Sequence, residues 1–395
     1  MTTSRGPTTD RIHLDHAASS PMFPVAIEAM TAQLGAPGNP SSLHASGRSA
    51  RRVVEESRER IAACVGARPS EVVFTSGGTE ADNLALGGSL RALGPERTGL
   101  VTSTIEHPAV GETATALTSS GQAVLSRIRV GTDGLVDLGQ LASAVSSDTA
   151  LVSVIWANNE VGTVQPVTAI AEIGHRDGSW VHADAVQALG HLPIDFAGSG
   201  LDLVSLSGHK VGGPVGVGAL LVRRELTLSP VQHGGGQERD LRSGTVAVAG
   251  VAGFAAAVEL AVGDLDAESR RVRALRERLV LQVCASVPGT SLNGVLDPSR
   301  SLPGIANIDF PGIEADALLM LLDADGIDCS TGSACTAGVS QPSEVLLVMG
   351  RDVSQAGAAL RFSLGWSTTS ADLDALLAAL PAAVVRARSA AGLTR

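Results

Sequence analysis

Seven short apolar runs punctuate the chain between residues 72 and 222: VVF at Val72, GLVTSTI at Gly99, AVLSRIRV at Ala123, ALVSVIW at Ala150, WVHADA at Trp180, LDLVSL at Leu201 and VGALLV at Val217. Longer stretches with helical spacing alternate with them. Strands buried on both faces read as continuous apolar runs, and strands that alternate with helices pair in parallel, so this pattern predicts a mainly parallel sheet covered by helices on both faces. From about Gly250 the pattern changes. A long helical stretch leads to NIDF at Asn307, a helical EADALLMLLDADG, a Gly/Ser/Thr-rich loop and RFSL at Arg361, which predicts a smaller α+β domain. We assign residues 15–260 to the large domain, and 1–14 together with 261–395 to the small one.

A chain of 395 residues with 44% hydrophobic and 17% charged content can bury a substantial core. The formal charge of -11 argues against nucleic acid or an anionic membrane as a partner held by general electrostatics. The arginine-rich ESRRVRALRERL, Glu268 to Leu279, interleaves both signs at helical spacing and reads as a solvated helix face. The first residues, MTTSRGPTTDR, lack an apolar signal core, and VAVAGVAGFAAAVELAV is broken by Glu259 before it reaches spanning length, so the expectation is a cytoplasmic protein. The four cysteines, Cys64, Cys284, Cys329 and Cys335, form no C-x-x-C pair. Reduced thiols and no metal are expected.

Polar residues collect where the apolar runs end. TSGGTEADN follows VVF, IEHP follows GLVTST, ANNEVG follows VSVIW, HADAVQ overlaps the next run and SGHK follows LDLVSL. Each cluster alone is ordinary turn chemistry. In open α/β sheets ligands sit outside the carboxyl ends of the strands, so five such clusters together point to one site.

Of the 29 basic residues only Lys210, in SLSGHKVGG, is a lysine. Arginine serves solvated faces, ion pairs and phosphate clamps equally well, but only a primary amine can lose its proton and form a Schiff base with an aldehyde. The turn SGGTEADN, carrying Gly78 and Thr79, places free backbone N–H groups at a helix start, which suits a phosphate. Ser207 and His209 flank Lys210 closely enough to add donors to the same anion, and the glycine-rich HGGGQERDLRSGT, His233 to Thr245, is a further candidate seat. Amine and phosphate cup together suit a phosphorylated aldehyde. Pyridoxal 5'-phosphate also needs an acid on its pyridine nitrogen and a plane against its ring. Asp184 is the candidate acid, Gln187 the partner of the phenolic oxygen and His107 the group over the ring.

These motifs carry a resemblance. LDHAASSP, GNPSSLHASGR, FTSGGTEADN, EHPAV, NNEVGTVQP, HADAVQ, SGHKVGGP, HGGGQE, RSGT, STGSACTAG and RFSLG run through nearly the whole chain in the order found in the cysteine desulfurases of the class V aminotransferase family. The resemblance implies the fold type I architecture of pyridoxal-phosphate-dependent transferases, with Lys210 as the Schiff-base amine. It implies further that Asn159 contacts cofactor and substrate, that Arg361 clamps the substrate carboxylate, and that Thr245 reaches the phosphate of a neighbouring subunit in a homodimer. Cys335, in STGSACTAGVSQPSE, is then the nucleophile that takes sulfur from L-cysteine as a persulfide, while alanine leaves. Either Lys210 or His107 moves the protons. The sulfur passes to an acceptor protein, with an iron-sulfur scaffold, a tRNA-thiolation carrier and a cofactor-biosynthesis protein as the alternatives. Cys64 and Cys284 lie in amphipathic patterns and read as packed thiols, and Cys329, at the end of an apolar run, reads as structural.

A selenocysteine lyase or another class V transaminase would share Lys210 and Asp184, and Cys335 is the residue that separates a desulfurase from a transaminase. A scaffold that merely retains the pocket fits poorly with the full set of reactive residues, and a metal hydrolase built on His107, His182, Asp184 and His209 lacks ligand spacing. Departures from the family's usual text are AASSP, GGPVG and Trp366 after RFSLG. None falls on a candidate catalytic position.

Overall fold

The computed structural model describes residues 11–332 and 341–392. Its central sheet has seven strands, β1 (Val72–Thr75), β2 (Gly99–Ser103), β3 (Val124–Ile128), β4 (Thr149–Ser153), β5 (Trp180–Asp184), β6 (Leu203–Ser207) and β7 (Gly218–Val222), in the order β1-β7-β6-β5-β4-β2-β3. β7 is antiparallel to both neighbours and the other pairs are parallel. The expected α/β architecture is present. Every residue of β1, β4, β6 and β7 is buried, which explains why those runs are apolar without alternation. β3 lies at the sheet edge, where Val124 is 66% exposed.

Helix α1 (Gly78–Leu93) leaves β1 and α2 (Pro108–Ser119) follows β2. The apolar run near residue 250 forms α3 (Val248–Gly263), whose residues Gly250 to Val258 are all buried. It packs on the helices Pro24–Leu34 and Ala45–Cys64. A helix apolar on every side is a core helix, and among the described residues no single helix is long and apolar enough to cross a membrane. α4 (Leu265–Ser286) carries the arginine-rich run, and here the structure departs from the solvated-face reading. Val272, Arg276, Leu279 and Val283 fall on one buried stripe, and the Arg276 guanidinium is fully buried against the carbonyls of Ile305 and Val295 at 2.5 and 2.8 Å. Burial lowers Arg276 to about 10.

The C-terminal part adds a small antiparallel sheet of β8 (Ser291–Asn293), β9 (Ile305–Asp309) and β10 (Ala359–Ser363), in the order β10-β9-β8. Ile12 and His13 pair in parallel with Ile327 and Asp328, so the first described residues join this part. Two large apolar cores result. One spans Ala17 to Val258 with Leu302 and Ile305, and the other unites Leu14 with residues from Val272 to Ala387.

Candidate active site

The carboxyl ends of β1, β2, β4, β5 and β6 open into a cavity of about 540 Å³ that the C-terminal part closes with Cys329 to Gly332 and Arg361. Gly78, Thr79, His107, Asn159, Asp184, Gln187, Ser207, His209, Lys210 and Arg361 all line it. Ten candidates separated by up to 283 positions in sequence therefore share one enclosure. Parallel strands do this by aiming all their ends at one edge of the sheet.

α1 points its N-terminus into the cavity. Gly77, at φ 152°, turns the chain from β1 into the helix, and Gly78 has no room for a side chain because a Cβ there would lie 2.6 Å from Cγ2 of Val186. That close approach leaves backbone N–H groups and the positive end of a 16-residue helix facing the cavity. Glu80 steadies the turn by accepting from the Ser76 N–H at 2.7 Å and pairing with Arg242 at 2.6 Å.

Lys210 is half-buried just beyond β6, and its Nζ donates to the carbonyls of Ala17 and Ala18, both at 2.7 Å. Burial, with Arg361 adding to it, lowers the amine to about 8. Gln187 donates to the same Ala17 carbonyl at 2.9 Å. Asp184 accepts from the Val186 N–H at 2.9 Å. Burial pushes its carboxyl upward, against the opposing pull of His107 and Lys210. His107 caps α2 by accepting the Ala109 N–H on Nδ1 at 3.1 Å. Burial lowers this imidazole, so its neutral form carries the proton on Nε2. Arg361 is 4% exposed and donates to Asp15 Oδ1 at 2.8 Å and to the Asn159 carbonyl at 2.9 Å, while among the described residues its Nε has no acceptor.

Two candidates lie elsewhere. Thr245 is exposed and outside the cavity. The glycine-rich segment from His233, read as a second phosphate seat, lines a separate cavity of about 620 Å³ with Arg58. It is placed there by a buried ion pair of Arg58 and Glu238, with oxygens 2.8 and 2.7 Å from the guanidinium. Cys335 lies outside the described residues, three positions beyond cavity-lining Gly332. The other thiols separate clearly. Cys329 lines the cavity, but burial pushes it up to about 12, Cys64 is half-buried, and Cys284, expected to be packed, is exposed on α4.

Sequence reading passed over several acids in the same enclosure. Asp82 and Glu106 line the cavity floor, Glu160 lies beside Asn159, and Asp15 holds Arg361. Asp82 had a signal, since it is the one charge among the buried residues Ala81, Leu84, Ala85 and Leu86 of α1. Glu106 and Glu160 had none, because acids in turn sequences are common.

A class V aminotransferase sequence model, described as "Aminotransferase class-V", matches residues 12–376. The chain belongs to this family. It is 54% identical over 96% of its length to a Mycobacterium tuberculosis protein called "IscS-like cysteine desulfurase", covering 98% of that relative. A cysteine desulfurase of Cereibacter sphaeroides is 42% identical, with 96% of this chain and 97% of that one aligned. Among solved structures, a NifS-like protein superposes with a TM-score of 0.89 at 34% identity, covering 95% of this chain and all of that one. The fold is thus that of the pyridoxal-phosphate-dependent family enzymes.

Proposed function

We propose that this family member is a pyridoxal 5'-phosphate-dependent cysteine desulfurase, which converts L-cysteine to L-alanine and carries the sulfur on its own Cys335 before passing it to an acceptor protein. The observation that carries the reading is a lone, desolvated amine in one enclosure with a helix N-terminus, a buried acid and a buried guanidinium. The donor set fits the cofactor, and so does the space at Gly78, which a Cβ would fill.

When bound, the cofactor supplies an aldehyde for an amine and a conjugated ring that accepts an electron pair. Around it the residues divide the work. The N–H groups at Gly78 and Thr79, with Ser207 and His209, would hold the phosphate. Asp184 would keep the proton on the pyridine nitrogen, Gln187 and Asn159 would bind the ring oxygen, and His107 would pack against the ring. Arg361, already desolvated, offers its guanidinium to the carboxylate of cysteine. Lys210 is poised near 8, so its amine can both take and return a proton close to neutral pH.

Cys335 is favoured over Cys329 because the thiolate is the nucleophile and Cys329 is held protonated. Thr245, exposed and away from its own chain's cavity, suits a contact with the phosphate of a second subunit in a homodimer. The division into residues 15–260 and the remainder follows the two largest apolar cores in the main, with Leu302 and Ile305 of the first and a smaller cluster of Ile105, Ile155, Val345 and Leu346 bridging it. An iron-sulfur scaffold or a thiolation carrier is the acceptor class proposed. The deciding experiment incubates the purified protein with cysteine and a reductant and assays alanine and sulfide together. Equal yields support the reading, and alanine without sulfide, or neither, refutes it.

A further inference from the structure

The floor of the cavity holds more acid than the proposed chemistry uses. Asp82, on α1, is 1% exposed, and among the described residues its Oδ1 has no hydrogen-bond partner. An oxygen of Asp82, an oxygen of Asp184 and a ring nitrogen of His107 all lie within 4.8 Å of one another. A third acid, Glu106 between β2 and α2, lines the same cavity, with Oε1 accepting the N–H groups of Ile155 and Ser103 at 3.0 and 3.3 Å, and Oε2 without a partner among the described residues.

From β5 the group facing Asp82 is His182, whose Nε2 is 3.6 Å from Asp82 Oδ1. That imidazole is fully buried, spans the hydroxyls of Ser153 on β4 and Ser205 on β6 at 2.8 and 2.9 Å, and is held down at about 3 by burial. It brings no positive charge. Among the described residues the charged groups acting on Asp82 are therefore two acids, Asp184 and Glu106, with the Ser205 hydroxyl as a polar neighbour. Two carboxylates this close and this dry do not both ionise. Asp184 is the one with support for its charge, from the Val186 N–H, His107 and Lys210.

We propose that Asp82 is an uncharged positioning residue, which retains its proton through neutral pH and backs Asp184 so that Asp184 presents its charge unopposed. The consequence for the reaction rests on the reading of Asp184 as the partner of the pyridine nitrogen. Burial first, then Asp184, raises Asp82 well above the ordinary carboxylate range, in agreement with the geometry.

The sign of the pH dependence follows. An unfolded aspartate sheds its proton near pH 4. Above that pH the folded chain keeps a proton that the unfolded chain has lost, so this residue costs stability increasingly as pH rises toward its buried value. The test compares the full-length, cofactor-free wild type with Asp82→Asn and, as a second uncharged replacement, Asp82→Ser, by thermal midpoint from pH 5 to pH 8. The midpoint of each variant relative to wild type should climb with pH by several degrees, and a difference that stays flat shows an ionised Asp82 and overturns the proposal. A second readout is the dissociation constant for pyridoxal 5'-phosphate. It should stay within about threefold of wild type in Asp82→Asn and rise at least tenfold in Asp184→Asn, whereas an equal loss in both would make Asp82 a needed anion and overturn it. Wild-type protein that takes up no pyridoxal 5'-phosphate would sink the cofactor reading instead, leaving the midpoint experiment to decide on Asp82.

Discussion

Lys210 and Arg361 divide two cationic tasks that composition would otherwise merge. Burial takes the amine to about 8, within reach of deprotonation, while a guanidinium stays charged and offers a planar fork. Lys210→Arg should therefore keep the charge and the fold yet lose turnover completely, and borohydride reduction of the wild type should leave the pyridoxyl group on the Lys210 peptide. A reduced label on any other peptide contradicts the assignment. The thiols provide the companion experiment. Cys335→Ser should still bind cysteine but release almost no alanine and carry no extra sulfur on digestion. Cys329→Ser should keep the reaction and lose about 1–3 kcal/mol of stability, the cost of a poorly partnered hydroxyl in a buried position. Mapping of the persulfide sulfur to Cys329 would reverse the two roles. Lys210 and Asp184 were singled out by residue type and Arg361 by the family resemblance, and all three line the one cavity. Asp82 left a trace, as a lone charge in an apolar helix stretch that the reading passed over, whereas nothing in the immediate sequence of Glu106 and Glu160 records that they line the same cavity.

The turn from β1 into α1 shows how an element, rather than a side chain, makes a binding surface. Its N–H groups are available only because Gly78 lets the helix start against Val186. Gly78→Ala should weaken retention of pyridoxal 5'-phosphate and cost about 1–3 kcal/mol of stability through overpacking. Adding Val186→Ala should recover part of both, and this can be followed by absorbance titration and thermal melting. A single substitution without effect on either would show that the helix start tolerates a side chain. Periodicity read α3 correctly, since an unbroken apolar run has one physical outcome in a globular chain. On α4 the charged face is solvated as read except at Arg276, which looks like every other arginine of the run but faces three oxygen acceptors on the inner stripe. Cys284 was misread on the same helix for the same reason, since amphipathic spacing alone leaves the boundary of the buried face open by one position.

For the whole molecule, the proposed homodimer gives the exposed Thr245, which lies outside its own chain's cavity, a role at the cavity of the second chain. Light scattering should return twice the 40.0 kDa of one chain, and Thr245→Ala should speed cofactor loss even though Thr245 does not touch the cavity of its own chain. A monomeric mass, or an unchanged rate of loss, removes that argument. The alternation of apolar runs and helical stretches by itself determined the mainly parallel sheet, because a strand covered on both faces has no polar side to present. The lone lysine, the glycine turn and the polar strand ends together pointed to a phosphorylated aldehyde, since only a primary amine forms a Schiff base, and the family resemblance supplied the desulfurase reading. Tertiary structure alone decided the electrical state of the site. How far Lys210 is lowered, which of Asp82 and Asp184 keeps its charge, why Cys329 is inert and why the His233 segment sits apart with Arg58 all depend on distance and on lost water. Those quantities arise only when strands remote in sequence converge on one edge of a sheet.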